Sequence, residues 1–240
     1  MRFSLKGIHS TERPISSVPR SVVIALVTGL LLQVLLHAGR SGVEATRKPL
    51  PVPPQEQFLN VASTGDPVAL SKLLMLWLQG FDNQPGISIP FLQLDYDRLT
   101  RWLDRILFLD PDGIYPLLSA ARIYSEVPDA TKKRQMLEFV YQKFLEDPTA
   151  RWQWMAHAVY VAKHRLQDKQ LALHYARELR LRTTPETAPD WARQMELFVL
   201  EDIGDLESAR ILLGGLIESG EITDQREIEF LLSRLGKVTE

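Results

Sequence analysis

His157, His164 and His174 are the side chains of the soluble part of the chain best suited to chemistry. His157 and His164 stand seven apart, a spacing that sets both on one face of a helix, and two imidazoles so placed could begin a metal site. A third ligand at matching spacing is missing, and the HExxH arrangement does not occur. Ser119 and the other serines lack the GxSxG setting of an esterase nucleophile, and no phosphate-cradling or dinucleotide-binding glycine run is present. The chain has no cysteine, which removes thiol nucleophiles, thiolate metal sites and disulfides together. Carboxylates are plentiful but regularly placed: Asp66, Asp129, Asp147, Asp168, Asp190, Asp205 and Asp224 each stand at the start of a helix-like segment. There an Asp side chain accepts hydrogen bonds from amides that the first turn leaves free, and a following Pro, as after Asp66 and Asp147, loses no donor. The expectation is a chain with no catalytic residue, no cofactor, no metal site and no small-molecule substrate.

Binding is the remaining chemistry, and aromatic residues are its best carriers. Trp152 and Trp154, two apart, point to opposite sides of one helix, so at least one faces away from its immediate core. With Tyr115 they mark a candidate partner-binding groove. A second candidate is the stretch Asp82 to Leu94, longer than an ordinary helix–helix connection. Its opening residues Asp82, Asn83 and Gln84 are placed to refine specificity, whereas Ile87, Ile89, Phe91 and Leu92 predict that the rest folds back over the open end of the domain. The basic clusters Lys132-Lys133-Arg134 and Arg177, Arg180, Arg182 read as solvated helix faces.

The elements behind these residues are helices. Leu99, Trp102, Leu103, Ile106 and Leu107 follow helical spacing, as do Trp152, Met155, Ala156, Val159 and Tyr160, and Ala209, Leu212, Leu213, Leu216 and Ile217. Ala172, Tyr175, Ala176 and Leu179, and Ile228, Leu231, Leu232 and Leu235, form shorter stripes. No strand-length alternation accompanies them, so essentially no sheet is expected. Pro111, Pro148 and Pro185 recur at intervals of 37 residues, a regularity of helix ends that marks stacked helix pairs. In Leu109-Asp110-Pro111, in Asp168 to Leu179 with Ala172 and Ala176, and in Ile203 to Arg210, the chain resembles the tetratricopeptide (TPR) repeat family. The resemblance covers roughly residues 66–236, although 37 exceeds the family's usual period. It implies an all-α, TPR-like right-handed α-solenoid of helix pairs, about nine helices in four pairs, with the segment from Gln225 to Leu235 as a cap. It also implies a non-catalytic scaffold that binds protein partners, integral-membrane subunits among them, and supports assembly or stability of a membrane-associated complex. A chaperone-like receptor for extended polypeptides and an enzyme with an unrecognised site stand beside that reading.

Ahead of the repeats, residues 21–38 read SVVIALVTGLLLQVLLHA, without a charge and long enough, at roughly 27 Å, to cross a bilayer as a single transmembrane helix. Val43-Glu44-Ala45 could serve a signal peptidase, but the long apolar run and Arg40 favour an uncleaved anchor. Residues 1–20 form a basic amino-terminal segment, and residues 39–65 a linker whose Pro49, Pro51, Pro53 and Pro54 predict a stiff spacer. The helical-repeat domain then occupies residues 66–240. Of 28 bases and 30 acids in all, seven and two lie in residues 1–48, leaving 21 bases and 28 acids beyond. An acidic domain is a poor partner for nucleic acid. The slight excess of bases before the span sets the amino terminus in the cytoplasm, and the carboxy-terminal domain in the periplasm of a bacterial inner membrane.

Overall fold

The structure, a computed structural model, describes residues 18–38, 48–84 and 86–236, without the side chain of His37. The basic segment before Val18 and the Val43-Glu44-Ala45 motif lie outside the described residues. The chain divides into two compact units, Met1–Thr46 and Arg47–Glu240.

The first unit contributes α1, Arg20–Ala38, 19 residues long. Its described side chains are exposed all round and are apolar on every side, so no face is marked for packing on a soluble core. Among the described residues no helix is long and apolar enough to cross a membrane.

The second unit is almost wholly helical. Its elements are α2 (Glu56–Ala62), α3 (Pro67–Gln79), α4 (Tyr96–Leu109), α5 (Ile114–Arg122), α6 (Ala130–Glu146), α7 (Pro148–His164), α8 (Lys169–Arg182), the single turn α9 (Asp190–Arg193), α10 (Met195–Ile203), α11 (Leu206–Glu218) and α12 (Gln225–Gly236). Each helix packs on its sequence neighbours, and α4 with α6, α5 with α7, and α8 with α10 meet across one intervening element. Pro111, Pro148 and Pro185 fall just after α4, α6 and α8, so their spacing tracks every second long helix. The expectation of essentially no sheet needs one small correction. Asn83–Gln84 and Ile87–Ser88 form a two-residue antiparallel ladder, β1 and β2, with Asn83 opposite Ser88 and Gln84 opposite Ile87. A hairpin this short leaves no alternating pattern to read.

The aspartates act as expected at most positions. Asp66, Asp129, Asp147, Asp168 and Asp205 accept from the amides of Ala69, Lys132, Ala150, Leu171 and Ser208 at 2.9–3.1 Å. Asp95 does the same for Arg98, and Asp224 accepts from Arg226 and Glu227. Asp190 is the exception: it is the first residue of α9, and Pro189 precedes that turn without a side-chain cap.

Two cores follow. The larger spans Leu50 to Val199 and holds Leu99, Leu103, Ile106, Met136, Leu137, Phe144, Met155, Tyr175 and Leu179 with almost no exposure. The smaller joins Leu197 and Leu200 of α10 to Ala209, Leu213 and Leu216 of α11 and to Leu231 and Leu235 of α12. Because α10 turns Val199 to one core and Leu197 and Leu200 to the other, it is the element through which they couple.

The proline-rich run is not a free spacer over its described length. Leu50 is buried to 3% exposure, its carbonyl accepts from Arg98 Nη1 at 2.5 Å, and the Pro51 carbonyl accepts from Trp102 Nε1 at 2.8 Å. Prolines donate no backbone hydrogen bond but keep their carbonyls, so an extended run can strap α4 with acceptors alone. Ordered structure thus begins well before residue 66.

Candidate functional site

The insertion is largely a packing element. Ile89 is 2% exposed, Phe91 meets Tyr124 edge-on at 5.4 Å between ring centroids, and Ile87 lies against the larger core; Leu92 stays exposed. Gln84 is committed to the strap, accepting from the Lys48 amide and donating to the Lys48 carbonyl, both at 2.9 Å. The Asp82 carbonyl accepts from the Ile89 amide at 2.6 Å, and Asn83 is exposed on β1. Of the first insertion residues, Asn83 alone is exposed; Asp82 and Gln84 hold the hairpin and the strap.

The three aromatic candidates occupy two hollows and do not form one patch. Tyr115, half-exposed at the start of α5, lines an apolar groove of about 330 Å³ with Met75, Leu76 and Ile106. Trp154 lines a second groove of about 500 Å³, walled by Arg122 at the end of α5, Gln153, Ala156, His157 and Tyr160 of α7, Trp191 of α9 and Met195. Trp152 lies outside it, half-buried, and meets Trp191 edge-on at 5.7 Å. Both tryptophans of α7 are therefore partly covered, because this helix packs against α5, α6, α8 and α10 and has no single inner face.

Several residues of the second groove are not evident as binding residues from spacing. Trp191 stands 56% exposed in a helix of one turn, too short for any periodicity. Tyr160 continues the apolar stripe of α7 yet is 43% exposed, sandwiched between His157 and His164 with ring centroids 5.8 and 4.9 Å away. His157 faces the groove with its Nε2 buried and without a hydrogen-bond partner among the described residues. Burial, and secondarily the Arg122 guanidinium, hold its imidazole below the ordinary value, against the opposing pull of Glu126 and the Ala121 carbonyl.

The basic clusters depart from the expectation of solvated faces. Lys132 Nζ donates to the carbonyls of Leu92 and Leu94 and sits over the Tyr96 ring, Lys133 is buried, and Arg134 pairs with Asp168 at 2.6 Å. Arg177 and Arg180 clamp Glu196, whose side chain is only 3% exposed, at 2.9 and 2.7 Å, while Arg182 pairs with Glu178. These charges fasten α8 to α10 and α6 to the insertion. Among the described residues no three of His, Asp or Glu converge closely enough to hold a metal ion. No protein-family model, curated protein or solved structure matches this chain.

Proposed function

We propose that the chain is a membrane-anchored, non-catalytic scaffold whose TPR-like helical domain docks a protein partner in the groove bounded by α5, α7, α9 and α10. The observation that carries this reading is the groove's lining. Trp154, Trp191 and Tyr160 leave aromatic surface open to solvent around a hollow of about 500 Å³. Aromatics of this kind supply most of the energy of protein interfaces over a small area. The succession of packed helices, with prolines closing every second one, supports a solenoid of helix pairs.

The anchor belongs to the same proposal. Helix α1 is 19 residues long, about 28 Å, and carries one formal charge, Arg20, at its first position. A helix apolar on all sides has no stable place on a soluble surface. Its cytoplasmic amino terminus sets the domain on the periplasmic side of a bacterial inner membrane.

The test is purification of the full-length protein in mild detergent, alone and as Trp191→Ala and Trp154→Ala variants. Stoichiometric partners that leave with the aromatic side chains while the helical signal is unchanged support the reading. Partners retained by both folded variants refute the groove as the docking site.

A further inference from the structure

The walls of the same groove indicate what kind of segment it accepts. Of its lining residues Arg122 alone carries a formal charge, and no hydrogen bond or ion pair joins its side chain to any described residue. Arg226 is in the same position and Arg101 and Arg210 bond only to backbone carbonyls, but most arginines of the domain are tied to acids. Arg98, Arg105, Arg134, Arg151, Arg177, Arg180, Arg182, Arg193 and Arg234 all pair with carboxylates. The nearest acid in sequence, Glu126, lies one helical turn on and is drawn away to Arg165 at 3.6 Å. Arg122 is exposed at the groove's edge, so a carboxylate on a bound segment can meet its guanidinium in a charge-assisted hydrogen bond.

The apolar faces of Trp154, Tyr160 and Met195 then call for aliphatic or aromatic side chains on either side of the acid. Beyond residue 48 the chain carries more acids than bases, so a long acidic run would be repelled by the surrounding domain. The attraction is local to Arg122.

We propose that the groove binds a short segment of a partner protein in which one Asp or Glu, flanked by apolar residues, pairs with Arg122. This rests on the docking reading above, and the two are separable by experiment. The full-length protein in detergent is panned against a display library of random twelve-residue peptides. Selected sequences are then synthesised with acetylated and amidated ends. The expected binders depend on Trp191 and Trp154, carry an acid beside Leu, Ile, Phe or Trp, and weaken at least about tenfold when that acid becomes its amide, the size of one charge-assisted hydrogen bond. Arg122→Gln, at an exposed site, leaves the fold intact and produces a similar loss. In that variant the acid-to-amide change has no further effect, because both substitutions remove the same pair. Binders that need Trp191 and Trp154 but contain no acid, or whose acid is indifferent to Arg122→Gln, overturn this proposal and leave the docking reading standing. Binders indifferent to both aromatic substitutions overturn the docking reading as well.

Discussion

At the scale of single residues the domain's charges are structural, and their environments set how it responds to pH. His157 is held below its ordinary value of 6.5 by burial and by Arg122, so the unfolded chain binds the proton more readily than the folded one. Its contribution to stability is fully present above pH 6.5 and is lost as the pH falls below that value. Asp168 and Asp205 are held below their ordinary 3.8, the first chiefly by the Leu171 amide and the second by Ser208, so their losses begin only in more acid solution. Thermal melting followed from pH 8 to pH 3 should therefore show an early decline below pH 6.5 and a later one near pH 4. In His157→Gln the early decline should vanish and the later one persist. Glu196 gives a second residue-level expectation. Arg180 is largely covered and Arg177 half-exposed, so Arg180→Met should cost about 2–4 kcal/mol in chemical denaturation and Arg177→Met about 1 kcal/mol or less. Equal losses would mean that the two arginines share the buried carboxylate evenly. From sequence Arg177, Arg180 and Arg182 read as a solvated face because the acid that gathers two of them, Glu196, comes from another helix, and spacing within one helix cannot reveal it.

At the scale of elements, local rules made much of the fold legible and long-range ones hid the rest. The stripe Leu99, Trp102, Leu103, Ile106 and Leu107 is wholly buried on α4, and aspartate caps mark the starts of α3, α6, α7, α8 and α11, since both depend on neighbours within a turn or two. The strap was hidden because a proline run looks the same whether its carbonyls face water or the side chains of Arg98 and Trp102. Its structural role predicts that Leu50→Ala destabilises the domain by about 2–5 kcal/mol in urea titration, the usual cost of emptying a buried leucine site. A change within error would return residues 48–54 to the status of a spacer. The helix α12 closes the smaller core through Leu231 and Leu235. Removal of residues 225–240 should raise amide exchange across α11 and the adjoining turn of α10 while leaving α4 to α7 protected, because the larger core does not include α12. Loss of protection throughout would show that the two cores do not unfold separately.

At the scale of the whole molecule, the proposed activity is recognition on a membrane, and its legibility was uneven. Trp154 could be picked out from its spacing against Trp152, but the groove around it could not. Its walls come from α5, α7, a one-turn helix and α10, which only tertiary packing brings together, and Tyr115 proves to line a different hollow. If the groove at Trp154 and Trp191 is the docking site, a partner should make contact there and not over the remainder of the domain. The most direct test is site-specific photo-crosslinking in native membranes, with a photoreactive residue at Gln153, exposed in the groove, or at Ile211, 70% exposed on α11. The account predicts a discrete crosslinked product from position 153 that disappears in Trp191→Ala, and none from position 211. A product from 211 in the absence of one from 153, with the protein folded in both cases, would contradict it.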